Sequence, residues 1–231
     1  MWQPMIDRAS DVRPVWQQIQ TLFGHPAVVG RYVTGPAGVE LLTRAEADFI
    51  HAHGAGVLLL VSGFTQASVM NVEDSVVLGV RAAKAARDLG APAGTVLVAD
   101  LETWSPTYPA MRAFESTIRP YRPGYYASKS ILDKFSSAMP WRWVADWTAP
   151  EWKVSELSRV VQNSRAAYQA WQTTGSAYGG LVDLSVIQEG EGVWMPPGQS
   201  SVPVQNATLE DHVRYFVLQV APLVGLQVTE K

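Results

Sequence analysis

The sequence predicts an α/β protein, a single (β/α)8 TIM-like barrel followed by a C-terminal linker and helix. Three observations carry this. Eight short apolar runs alternate with helix-spaced segments between residues 4 and 195. Parallel strands joined by right-handed helical crossovers close into a barrel at that count. A chain of 231 residues is long enough for one such domain. Finally, no Gly-x-Gly-x-x-Gly follows the first strand, which weakens the open dinucleotide-binding sheet as the alternative.

The elements follow in order. Pro4–Asp7 is a short strand ending on an acid. Val12, Val15, Trp16, Ile19 and Phe23 then recur at helical spacing, and Gly24-His25-Pro26 stops that helix. Ala27–Val33 is the second strand. Thr43-Arg44-Ala45-Glu46 has the capping-box pattern and opens a helix that ends at Gly54. Val57–Val61 is a third strand, apolar on both faces. A long alanine-rich helix runs from Asn71–Asp74 through Leu89. Val96–Glu102 is the fourth strand, and Pro106–Ile118 the next helix. Pro123–Ala127, Arg142–Trp147, Tyr168–Gln172 and Gly180–Val186 are strands five to eight. Short helical segments at Ser128–Phe135 and Val154–Ser164 lie among them. The barrel therefore spans 1–195. From Met195 the texture changes to a Pro- and Ser-rich linker. Within 196–231, Leu209, Val213, Phe216, Val217 and Val220 form one stripe of an amphipathic helix. That helix packs on the barrel wall or, as the minority alternative, contacts a protein partner through residues 204–231.

Composition narrows the function. Apolar residues are 47% and charged residues 17%, so a large core is expected and bulk disorder is not. A net charge of −3 without a basic run gives no case for nucleic acid. Val57–Val61 is far too short to span a bilayer, so no membrane role is expected. Cysteine is absent, which excludes disulfides and thiolate metal ligands. The four histidines make neither a triad nor a metal spacing with the acids, and neither a metal nor a cofactor is expected. Met1-Trp2-Gln3-Pro4 lacks the regions of a signal peptide. A role outside the cell or on a virion would need another export route; otherwise the protein is cytoplasmic.

The chemistry gathers at strand ends. Asp100 and Glu102 are two residues apart on the fourth strand, so both project to one side, with α-carbons about 6–7 Å apart. Asp7, Tyr126, Trp143, Trp147, Trp171, Gln172 and Asp183 sit at or near other strand ends, and Trp104 follows Glu102. In an eight-stranded α/β barrel such ends converge on one face and make an acidic pit ringed by aromatics. Aromatic faces stack on sugar rings, and paired carboxylates perform glycosidic acid/base work. Crowding lifts the pKa of at least one acid. Glu102, farther toward the strand end, is expected to be the one desolvated by bound sugar. Structural readings stand beside these: Asp7 as a helix cap, Trp143 and Trp171 as core fillers, Asp-x-Glu as a cap or ion-pair partner.

Asp7, Asp100-Leu101-Glu102, Pro123-Gly124-Tyr125-Tyr126, Trp143-Val144-Ala145-Asp146-Trp147, Trp171-Gln172 and Asp183 resemble, in order, glycoside hydrolase family 25, the muramidases that cut peptidoglycan. Gly30-Arg31-Tyr32, Leu42–Ala47 and Gly94-Thr95 look more like related bacterial and phage glycoside-hydrolase-like barrels of unassigned function. The resemblance covers about residues 4–195. It implies Glu102 as proton donor, Asp100 facing the anomeric centre or its acetamido neighbour, and Asp7 and Asp183 as supporting acids. It implies bacterial wall glycan as substrate, met by Trp104, Tyr126, Trp143, Trp147, Trp171 and Gln172. Two departures stand out. Met5-Ile6-Asp7-Arg8-Ala9-Ser10 replaces the muramidases' Gly-x-Asp-x-Ser, and Val61-Ser62-Gly63-Phe64 replaces their Tyr-His-Phe. The alternative function is a non-catalytic barrel serving as a wall-binding or structural module.

Overall fold

The computed structural model describes residues 1–162, 167–190 and 192–199. The amphipathic stripe from Leu209 to Val220, and the partner contact assigned to 204–231, lie outside the described residues. Eight strands close a barrel in sequence order. They are β1 (Trp2–Arg8), β2 (Val28–Thr34), β3 (Gly56–Val61), β4 (Val96–Glu102), β5 (Arg122–Ser128), β6 (Arg142–Ala145), β7 (Ala170–Ser176) and β8 (Val182–Gln188). Neighbours from β1 to β7 pair in parallel.

The expectation of an all-parallel barrel is corrected at β8, which runs antiparallel to both β7 and β1. A parallel return needs a crossover of a dozen or more residues. Only residues 177–181 separate β7 from β8. Ser176, Tyr178, Gly179 and Gly180 all adopt positive φ, so the chain reverses sharply there.

Strand residues alternate between two cores. Met5, Val28, Leu58, Leu60, Val96, Val98, Trp143, Ala170 and Ile187 point into the barrel, where Trp141 and Val193 join them. Ile6, Val29, Leu59, Leu97, Ala99, Val144 and Val186 point outward. Outside, they meet α1 (Trp16–Leu22), α2 (Arg44–Ala52), α3 (Val72–Asp88), α4 (Tyr108–Thr117), α5 (Lys129–Lys134) and α6 (Leu157–Val161) through Ile19, Ile50, Ala86, Phe114, Leu132 and Val160. Each fully buried side chain of this size is worth about 1.5–3 kcal/mol. Trp194 exchanges backbone hydrogen bonds with Val57 beside the inserted Val193. Among the described residues, no helix is long and apolar enough to cross a membrane.

The capping box of α2 is half realised. Thr43 Oγ1 accepts from the Glu46 amide at 3.2 Å. The Glu46 carboxylate turns instead to Arg31 Nε at 2.7 Å and to the Val12 amide at 3.0 Å. Arg31 is wholly buried and also donates to the carbonyls of Arg8 (2.6 Å) and Glu40 (2.9 Å). A buried charge persists only when it is paired and its remaining donors are served. Here that pairing anchors α2 and β2 to the end of β1, next to Asp7.

Candidate active site

The inward alternation of the strands builds the site. On β4, Val96 and Val98 face the barrel axis, and Asp100 continues that row. On β1 the row is Met5 and then Asp7; on β2, Val28 and then Tyr32; on β7, Ala170 and then Gln172. These upper members, with Leu60, Glu102, Tyr126, Trp143, Trp147 and Asp183, line one cavity of about 130 Å3. Gly30 lies on the same face of β2, where a Cβ would stand 2.8 Å from Asp7 Cβ. Its missing side chain is what admits Asp7.

All four acids singled out in the sequence, Asp7, Asp100, Glu102 and Asp183, therefore meet. Asp183 does so for a different reason than strand-end convergence in a parallel barrel. It begins β8 rather than ending it, and the antiparallel course sets it directly opposite Asp7. Arg8 Nη1 donates to the Leu181 carbonyl and ties the end of β1 to the start of β8. Tyr126, Trp143, Trp147 and Gln172 join the acids as expected. Trp171 does not: it neighbours Gln172 on β7, so it must face outward, and it is buried in the outer core with Nε1 donating to the Asp146 carbonyl. Trp104 is also absent from the lining. The chain turns at Glu102, and Trp104 packs against the outer core. Tyr32 is the polar lining residue not assigned to the site beforehand, beside the apolar Leu60 and Val98; its signal was the two-residue period Val28, Gly30, Tyr32.

The hydrogen bonds sort the acids. Tyr32 OH donates to Asp100 Oδ2 at 3.2 Å. Gln172 Nε2 donates to Asp183 Oδ2 at 3.0 Å, and the Ser176 amide donates to Asp183 Oδ1. Gln172 Oε1 accepts from both Tyr126 OH and Trp147 Nε1, the latter at 2.6 Å. Gln172 is thus a buried hub between the mouth, the aromatic wall and an acid. Asp7 Oδ2, Asp100 Oδ1 and Trp143 Nε1 are buried without a hydrogen-bond partner among the described residues.

Burial and like charge hold protons in this pit. Burial pushes Asp7 well above the usual carboxylate range, and the charges of Asp183 and Asp100 add to it. Burial and then Glu102 raise Asp100 to about 7, against the opposing hydroxyl of Tyr32. Burial raises Asp183, while the Ser176 amide and the Gln172 side chain pull the other way. It is Asp100, not Glu102, that burial desolvates; Glu102 is exposed. Glu102 also sits at φ 51°, beside a register shift against β5. A non-glycine residue held there costs about 1–3 kcal/mol, and such strain concentrates at functional sites. Among the described residues, no group of three or more His, Asp or Glu is arranged to hold a metal ion.

Several solved structures share this fold. An uncharacterised protein from B. stearothermophilus is 23% identical, with a TM-score of 0.64 over 83% of this chain and 97% of that one. The Tat-secreted protein Rv2525c of Mycobacterium tuberculosis, solved with HEPES, is 20% identical, with a TM-score of 0.65 over 83% and 98%. The modular autolysin LytC of Streptococcus pneumoniae, solved with a synthetic peptidoglycan ligand, is 15% identical, with a TM-score of 0.55 over 81% of this chain and 47% of that one. No curated protein matches the sequence. The family model of the Rv2525c-like, glycoside hydrolase-like domain matches residues 24–187, most of the barrel. The chain belongs to that family.

Proposed function

We propose that this protein hydrolyses a glycan of the bacterial cell wall. One observation carries the reading: Asp7, Asp100, Glu102 and Asp183 share a cavity walled by Tyr32, Tyr126, Trp143 and Trp147. Carboxylates acting as proton donor and as stabiliser of an oxocarbenium-like centre, beside aromatic stacking surfaces, are the parts glycoside hydrolysis requires. The peptidoglycan ligand seen with the LytC autolysin supports wall glycan as the polymer. Such a substrate places the working site outside the cytoplasm.

The proposed division of labour starts from the Asp100–Glu102 pair. Burial and the charge of Glu102 raise Asp100 to about 7, so it is the member that carries a proton near neutrality. Two coupled carboxyls titrate as a pair, so covering one shifts the proton between them. Sugar seated at the exposed Glu102 desolvates it and moves the proton there. Glu102 then protonates the bridging oxygen as its bond to the ring carbon breaks, while Asp100, now ionised, faces that carbon; water adds there and gives its proton to the Glu102 carboxylate, which restores the pair. Tyr32 steadies Asp100, and Gln172 steadies Asp183 and Trp147.

The test is digestion of purified bacterial walls with mass analysis of the released saccharides, run beside Glu102→Gln. General acid catalysis is worth about 10²–10⁴-fold, so release should fall by that order while wall binding persists. Undiminished release by Glu102→Gln removes the assignment. Binding without release by the wild type would assign a non-catalytic wall-binding barrel instead.

A further inference from the structure

Among the described residues, the cavity is lined by four carboxyl groups and by no lysine, arginine or histidine. Among the described residues, the titratable groups that line the cavity with Asp7 are acidic or phenolic: Asp100 and Glu102 from β4, Asp183 from β8, Tyr32 from β2 and Tyr126 from β5. The buried guanidinium of Arg31 faces outward and is committed to Glu46, and Arg8 is committed to the Leu181 carbonyl. The described walls therefore supply no cation to these acids, which hold protons instead. Asp183 has donors on both oxygens. Asp7, only 6% exposed, lines the cavity with an oxygen that no donor serves, and Asp100 has another. Buried carboxylates without a cation are costly, and a site in this state is completed either by protons or by a positive ligand.

The walls suit a positive ligand. Tyr32, Tyr126, Trp143 and Trp147 surround the acids. Aromatic rings attract an ammonium through their quadrupole, most strongly when water is excluded. A neutral hydroxyl offers one proton to the two unserved carboxyls; an ammonium offers three and a charge.

Resting on the glycan reading above, we propose that this pit selects a sugar residue bearing a free, protonated amine, as in de-N-acetylated amino-sugar stretches of a glycan, over the N-acetylated form. Acetylation removes the charge and two of the three donors, and leaves the pit's acids to keep their protons. Binding of the amine should then release the proton of Asp7, while the proton of Asp100 passes to Glu102. It follows that the preference grows as pH rises from 5 toward the amine's own pKa, because displacing the Asp7 proton costs more at lower pH.

The test is equilibrium binding of two probes, the glucosamine tetramer and its fully N-acetylated counterpart, followed by calorimetry and by tryptophan fluorescence. Trp143 and Trp147 line the cavity and report on occupancy. A charged hydrogen bond is worth roughly 10–100-fold in affinity, so the amine tetramer should bind at least about tenfold tighter at pH 7. The ratio should shrink at pH 5. It should approach one in Asp7→Asn, and Asp100→Asn provides a second isosteric check, with folding of both verified by circular dichroism. Equal or tighter binding of the N-acetylated tetramer at pH 7 overturns the amine preference, as does an unchanged ratio in both variants. Wall digestion would still stand in those cases, so the broader reading survives them. If neither tetramer binds, this proposal falls, and wall digestion separately decides the broader one.

Discussion

Replacing Asp100 by Asn should change how stability depends on pH, with a sign and size set by the structure. An unfolded chain loses the Asp100 proton near 3.8, whereas the folded protein keeps it to about 7. Between those values the folded state binds more protons than the unfolded one. Stability therefore falls as pH rises through that window and levels off above about 7. At 1.36 kcal/mol per pH unit, the interval corresponds to about 4 kcal/mol. Partial solvation of the open cavity reduces this to about 2–4 kcal/mol. Asn cannot ionise, so the variant lacks this loss. Chemical denaturation of wild type and Asp100→Asn at pH 4, 5, 6, 7 and 8 measures the effect, and the difference between them cancels other titrating groups. The variant should gain on the wild type by about 2–4 kcal/mol between pH 4 and pH 8. In a domain of this size that is roughly 4–16 °C in Tm. A gap that stays constant across the range would refute the picture of Asp100 as a desolvated, charge-crowded acid.

Other outcomes follow from particular contacts. Gly30→Ala places a Cβ 2.8 Å from Asp7 Cβ. It should cost about 1–3 kcal/mol in denaturant titrations and weaken glycan binding by displacing Asp7. Arg31→Met leaves Glu46 buried without its cation. It should cost about 3–5 kcal/mol, and Glu46→Gln in the same chain should recover part of that loss. Gln172→Leu strips the acceptor from Tyr126 and Trp147 and a donor from Asp183. Fluorescence quenching should show Trp147 more accessible to acrylamide, and sugar affinity should drop. If the Asp100–Glu102 pair supplies the catalytic proton, activity on bacterial walls should decline as pH rises above about 7, where that proton is lost.

Much of the site was legible because a strand writes its two faces into the sequence with a period of two. Val96, Val98 and Asp100 share a side, and so do Ala170 and Gln172. That rule, applied strictly, would also have found Tyr32 and turned Trp171 outward. The strand count was legible because each run is bounded by a turn or a helix-spaced segment. The direction of β8 had a weaker signal, the brevity of 177–181 with Gly179 and Gly180.

What the sequence alone determined is the set of short-range facts: eight strands in order, the chemistry at their ends, and the apolar rows that must leave water. These depend on neighbours within a few residues. What only the tertiary structure decided are facts of closure. Asp183 faces Asp7 because β8 enters between β1 and β7 against their direction. Trp104 is drawn from the pit because the chain turns at Glu102. Asp100 keeps its proton because strands distant in sequence bury it beside Glu102, beneath Tyr32. A carboxyl's affinity for its proton is set by the charges and solvent around it, and those arrive only when the barrel closes.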